Sequence, residues 1–260
     1  MDRIVSKISF VTSTFNEEKN LPSCLDSVKE LADEITLVDG SSKDKTVEIA
    51  KEYGAKVKVT DNPPIFLINR QKAIDMATGD WLLNLDADER ATTELIKEIK
   101  EVVKNDDKKF NGYFIPRKNW FLGRFLMKGG QYPDYQLRLY RRGKVHFELK
   151  DVHEQAIVEG EKGYLKSSML HYPYKDFPAY LLKWRRYNDV FATQIKENFS
   201  KKSLFAKLFG GLDYLLIKPA WWFFWTQIRH KGIYDLWSGA VFSFFSALRF
   251  PVSYLKSFSK

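Results

Sequence analysis

The 260-residue chain carries 42 Lys and Arg against 33 Asp and Glu, a formal net charge of +9, and its residues are 44% hydrophobic and 15% aromatic. That content excludes intrinsic disorder and suits one large domain, or one domain with an appendage, around a substantial core. Its single cysteine, Cys24, excludes an internal disulfide and any multi-cysteine zinc site and fits a reducing compartment.

Short apolar runs alternate with helical patterns from the start. Residues 8–12 read as a strand and 21–31 as a helix, 35–39 as a strand and 46–53 as a helix. Residues 57–60 read as a strand and 65–77 as a helix, 81–85 as a strand and 94–103 as a helix. Strand and helix repeating at this interval predict right-handed βαβ crossovers and a mainly parallel sheet, an α/β fold. The opening residues, Met1 to Lys7, lack the apolar segment of a signal peptide, so a cytosolic orientation is expected.

Polar residues gather where these strands end. The first delivers Thr14-Phe15-Asn16-Glu17-Glu18. The second delivers Asp39-Gly40-Ser41-Ser42, with Asp44 placed to cap the next helix. Asp39, at the end of a nucleotide-fold strand, suits acceptance of hydrogen bonds from a ribose or base edge. The fourth strand ends in Asp86-Ala87-Asp88-Glu89. Two carboxylates one residue apart at such an opening suit a divalent cation shared with nucleotide phosphates.

Residues 177–197 read as an amphipathic helix, with Phe177, Tyr180, Leu181, Trp184, Tyr187, Phe191 and Ile195 forming a packing stripe. Residues 201–260 hold nine Lys or Arg, two Asp and 16 aromatics, so they contribute 9 − 2 = +7 of the charge. No apolar run there reaches the roughly 18 residues that suggest a membrane span. Cations mixed with Trp and Phe on short helices instead suggest elements lying in a membrane interface. A packed helical subdomain and a homo-oligomer contact are the alternatives. Nucleic acid is not expected, because the aromatics cluster in blocks rather than interleaving with the cations.

Taken together, Thr14 to Glu18, Val38 to Ser42 with Asp44 and Thr46, Gly79-Asp80-Trp81, and Leu85 to Arg90 resemble glycosyltransferase family 2 over roughly residues 8–175. The resemblance implies a GT-A nucleotide-sugar-binding domain and a metal-dependent, inverting transferase. Tyr132 to Arg141, Val152-His153-Glu154 and Leu170-His171-Tyr172 further resemble the lipopolysaccharide-core β-glucosyltransferase branch, as does the basic, aromatic tail. A domain over residues 1–175, with a donor half to about 105 and an acceptor half from 106, is then expected to precede a membrane-associating helical region, 176–260. Where relatives carry Gln-Lys-Asn, this chain has Asn69-Arg70-Gln71-Lys72, and Arg70 keeps a cation.

By the same resemblance, Thr14 and Glu17 line the nucleoside site, Asp39 meets the uracil or ribose, and Arg70 forks onto the diphosphate. Asp86 falls in the ribose or metal region, and Asp88 is the more direct ligand of Mg²⁺ or Mn²⁺. His171 completes the metal or diphosphate site or is simply structural. Arg138 is a phosphate contact or a strand-surface residue. Inversion needs a carboxylate to take the acceptor hydroxyl proton; Asp134 is the first choice and Glu154 the second. The expected activity is transfer of a hexose, glucose by resemblance, from a UDP-sugar to a lipid-anchored glycan such as lipopolysaccharide core. It would act at the cytoplasmic face of the inner membrane. A polyprenyl-phosphate glycosyltransferase and a non-catalytic membrane-binding scaffold are the alternatives.

Overall fold

Short, nearly continuous apolar runs dictate the first layer of the fold, because a strand with both faces covered must bury successive side chains on opposite sides. The computed structural model describes residues 6–105, 107–149, 155–200 and 209–258. Its elements open with β1 (Ile8–Thr14), α1 (Leu21–Val28), β2 (Glu34–Asp39), α2 (Thr46–Glu52), β3 (Lys56–Val59), α3 (Leu67–Met76) and β4 (Trp81–Asn84). The four strands lie in the order β3-β2-β1-β4, all parallel. Phe10, Leu37 and Leu83 point into one core; Val11, Val38 and Leu82 point into the other.

The next elements are β5 (Glu89–Ala91), α4 (Thr93–Asn105), β6 (Phe110–Phe121), β7 (Arg124–Leu126) and β8 (Asp134–Arg141). They are followed by β9 (Val145–His146), β10 (Ile157–Val158), β11 (Glu161–Tyr164) and β12 (Met169–His171). In α4, Leu95, Ile96, Ile99 and Val103 form one buried stripe, and Thr92 Oγ1 accepts from Leu95 N at 3.2 Å. From β4 the sheet continues through β8, β6, β12 and β5. The β4–β8, β6–β8 and β5–β12 ladders are antiparallel, whereas β11 joins β6 in parallel. Parallel pairing is therefore confined mainly to the first four strands. The short β5 and the long β6 are absent from the elements predicted above.

The chain divides into two compact units, residues 1–117 with 134–171, and residues 118–133 with 172–260. Residues 118–133, read from the sequence as part of the acceptor half, belong to the second unit. That unit contains the β6–β7 hairpin ladder, Asn119–Phe121 against Arg124–Leu126, and α5 (Phe177–Ser200). It also holds a helical run over residues 209–229 and, after a short turn, α7 (Leu236–Lys256). Within the run, α6 (Lys218–Phe224) is flanked by wider π-helical turns at Asp213–Ile217 and Trp225–Arg229. Its core is aromatic: Phe121, Leu126 and Tyr180 pack with Phe177, Trp184 and Phe245. Trp184 Nε1 donates to Phe245 O at 2.9 Å. Of the predicted α5 stripe, Tyr180 and Ile195 are buried, but Tyr187 is exposed. No helix among the described residues is long and apolar enough to cross a membrane.

Candidate active site

Parallel strands bring their carboxyl ends to one edge, and the predicted site residues of β1, β2 and β4 collect there. Thr14 and Asp39 are ladder partners, and Thr14 Oγ1 donates to Asp39 Oδ2 at 3.0 Å. Ser42 completes the contact, its Oγ donating to Oδ2 at 2.6 Å and its N to Oδ1 at 2.7 Å. Asn16 and Ser41 adopt positive φ (58° and 64°), turning the two loops toward each other. Asn16 N then donates to Ser42 Oγ at 2.7 Å and Lys43 N to Asn16 Oδ1 at 2.8 Å. Asp39 is 0% exposed, and the three bonds to its carboxylate are internal. In this conformation it joins the loops at the strand ends, where contact with uracil or ribose is expected.

Glu17 follows in the same loop, accepting from Asn20 Nδ2 at 2.8 Å. Burial pushes its carboxyl pKa up; the Asn20 bond opposes this, and Asp88, Asp86 and Asp44 add to the rise.

Beyond β4, three carboxylates and three guanidiniums alternate in one chain of contacts. Arg70 pairs with Asp86 Oδ1, and Arg138 Nη2 donates to Asp86 Oδ2 at 2.6 Å and to Glu89 Oε1 at 2.8 Å. Arg117 Nη1 donates to Glu89 Oε1 at 3.0 Å. Its Nε and Nη2 fork onto Asp134 Oδ2 at 2.9 and 2.8 Å, and Gln136 Nε2 donates to Asp134 Oδ1 at 2.8 Å. Glu89 is fully buried, and Arg70 and Arg138 nearly so. Isolated charges so enclosed would be prohibitive, which is why they interleave. Burial works to raise the Asp86 pKa, but Arg138 and Arg70 outweigh it and hold the group below the usual carboxylate range. For Arg138, burial works downward, and Asp86 and Glu89 reverse it to hold the pKa above the ordinary value.

Arg70 and Arg138, expected at phosphates, have internal carboxylate partners, and Asp86, expected near ribose or metal, is gripped by both. The Nε atoms of Arg70 and Arg138 are nevertheless buried without an acceptor among the described residues. Arg70, Asp86, Arg117 and Arg138 also line a cavity of about 300 Å³ with Phe66, Asn84 and Gln136. The cavity therefore presents guanidinium edges within a network that is neutral overall.

Asp88 stands apart from that network. β12 pairs with β5 so that His171 lies opposite Glu89, one residue from Asp88. His171 Nε2 is 3.4 Å from Asp88 Oδ2. The two atoms are near enough together to reach one divalent ion, the carboxylate as an oxygen ligand and the imidazole as a nitrogen ligand. Among the described residues, no group of three or more His, Cys, Asp or Glu could hold a metal. The other ligands would have to be phosphate oxygens or water. Glu154, the second choice of base, lies outside the described residues.

Glu89 and Arg117 were not assigned roles from the sequence, yet they connect Asp86 to Asp134. Glu89 sat in the motif as a third carboxylate at an apolar strand's end, the only signal it offered. Arg117 becomes legible only through the ladder that sets it opposite Asp134.

The model of the family "Glycosyl transferase family 2" matches residues 9–156. The chain belongs to that family: it is a glycosyltransferase built on an α/β nucleotide-sugar fold. Among its relatives is the lipopolysaccharide core biosynthesis glycosyltransferase LpsC of Rhizobium meliloti (strain 1021), 28% identical over 243 residues, covering 90% of this chain and 88% of LpsC. An uncharacterized glycosyltransferase of Rickettsia typhi is 41% identical over 99 residues, 38% of this chain and 33% of that protein. A TPR repeat-containing protein of Synechococcus elongatus is 42% identical over 96 residues, 37% of this chain and 24% of that one. The chain thus spans a third or less of those last two. Among solved structures, S. aureus TarS (residues 1–349) is similar at 17% identity and a TM-score of 0.48, covering 96% of this chain and 91% of that one.

Proposed function

We propose that this family 2 enzyme inverts the anomeric centre of a hexose, with glucose the first candidate, as it moves it from a UDP-sugar to a lipid-anchored glycan. The observation that carries the reading is the Asp88–His171 pair, in which Asp88 lies two residues along the chain from Asp86, which lines the arginine-edged cavity. The acceptor class follows the printed role of LpsC, the relative most fully covered by this chain among those described. Thr14 and Glu17 border the nucleoside end, and Arg70 and Arg138 set the field around the diphosphate. Asp88 and His171 would hold Mg²⁺ or Mn²⁺. Such an ion, when bound, offsets charge on the departing nucleoside diphosphate.

Asp134 is the base in this reading. Forked by Arg117 and bonded by Gln136, its carboxylate is held in one orientation. It accepts the acceptor hydroxyl proton as that oxygen bonds to the anomeric carbon. The bond from that carbon to the diphosphate oxygen breaks, and its electron pair leaves with UDP. The cationic, aromatic region 201–260 would keep the enzyme at the inner membrane's cytoplasmic face, where a lipid-anchored acceptor is presented.

The test is UDP release from a panel of UDP-sugars with Mn²⁺ or Mg²⁺ and then with EDTA. Metal-dependent turnover of one sugar, lost in folded Asp88→Ala and Asp134→Asn proteins, is the expected result. Full activity in both variants removes this mechanism. Activity that survives only in Asp134→Asn points to an acceptor already ionised, such as a polyprenyl phosphate.

A further inference from the structure

Helices that pack in water turn apolar stripes inward and polar residues outward. Residues 209–229 and α7 mix polar groups into a mutual contact that also holds the Tyr214–Phe250, Tyr214–Tyr254 and Trp222–Phe250 ring pairs. Gln227 is buried between them, its Nε2 donating to Gly239 O at 3.0 Å and Ser243 Oγ at 2.7 Å. Trp222 Nε1 donates across to Ser246 Oγ at 2.8 Å. The turn that joins them packs closely on α7, where a Cβ on Gly239 would come within 2.4 Å of Gly232 O. Small residues at the contact with polar side chains bonding across it are the packing habit of helices surrounded by lipid.

The outward faces are apolar as well. Leu212, Leu216, Phe224 and Ile228 recur at helical spacing and are 49%, 61%, 59% and 71% exposed. On α7, Trp237, Phe244 and Leu255 are 60%, 52% and 59% exposed. Patches of this extent on a protein surface mark an interaction site. Both carboxylates of residues 209–258 are occupied. Asp213 pairs with Lys218 at 2.9 Å, and buried Asp235 accepts from Met127 N and Lys128 N at 3.1 and 2.7 Å. Arg229, His230 and Lys231 are exposed at the turn between the helices. Apolar faces edged by cations and lacking an unpaired acid complement an anionic bilayer.

We infer that residues 209–258 form an in-plane anchor whose apolar faces sink into the acyl layer of one leaflet, beyond contact with headgroup charge. This rests on the membrane reading proposed above and deepens it. Each helix is about 31 Å long at 1.5 Å per residue, and each carries a cation within its length, Lys218 and Arg249. Immersion side-on keeps those charges at headgroup level, which a transverse hairpin would not.

The full-length protein would be floated with phosphatidylcholine vesicles containing phosphatidylglycerol, then washed in about 1 M NaCl, where the screening length falls to about 3 Å. Retention of most bound protein, with tryptophan fluorescence quenched by acyl-chain-brominated lipid, is expected. Phe224→Asp should cut salt-resistant binding by about tenfold or more while UDP-sugar turnover in detergent persists, and Arg229→Ala should weaken only the preference for anionic vesicles. Complete release by salt, with quenching from headgroup-labelled lipid alone, overturns immersion and leaves surface binding intact. Absence of binding to any vesicle overturns both readings. Absence of binding together with a dimer that Phe224→Asp dissociates assigns the stripes to a second copy.

Discussion

At the scale of single residues, Glu89 is the hinge of the charge network, because two guanidiniums and the Asp86 N–H converge on its buried carboxylate. Removing one partner from a buried pair leaves the opposite charge uncompensated. Glu89→Gln should therefore cost about 3–5 kcal/mol in urea unfolding. Glu34 makes a pH-dependent contribution. It accepts from Lys56 Nζ, Ser9 Oγ and Thr78 N at 2.5, 2.5 and 2.8 Å. Burial alone would raise its pKa, but these bonds lower it from 4.5 to about 2. A carboxyl whose pKa is depressed by folding contributes stability above its unfolded value, and the contribution fades as pH falls toward the folded one. The stability lost between pH 4.5 and about 2 should shrink in Glu34→Gln, read from unfolding midpoints across that window.

Among the elements, the β1–β4 ladder is held close by a missing side chain. A Cβ on Gly79 would stand 2.6 Å from Ser9 Oγ and 2.8 Å from Ser9 N, and Ser9 Oγ already bonds Gly79 N and Glu34. Gly79→Ala must push the strands apart, so a loss of about 1–3 kcal/mol with a lowered Tm is expected. The same crowding recurs where Gly239 meets Gly232 O. There Gly239→Ala should loosen the packing of Trp222 against α7, seen as lost near-ultraviolet dichroism, at a cost of about 1–3 kcal/mol.

For the whole molecule, the two compact units have different cores. The first is aliphatic and layered about a sheet, and the second is aromatic and helical. Gly239→Ala should accordingly leave UDP binding, assigned to the first unit, close to that of the unaltered protein when measured by calorimetry. The +7 carried by residues 201–260 leaves the rest of the chain nearly neutral. Charge of this kind governs surface attraction rather than fold.

The sequence by itself determined the four parallel strands, their crossover helices and the polar loops at their ends. Those follow from local periodicity and from the rule that parallel strands open on one edge. It also placed Asp88 and His171 among the candidates, although 83 positions separate them. Only the tertiary structure decided that β12 would set them 3.4 Å apart, and that Arg70 and Arg138 would turn to Asp86 and Glu89. Strand register carries no local signature, and a charged side chain's partner is whichever opposite charge packing encloses with it. The sequence marked the last helices as basic and aromatic, but which of their faces lie exposed was hidden for a related reason. A stripe of Leu, Phe and Trp reads alike whether it faces a core or a bilayer, until the fold shows which side is covered.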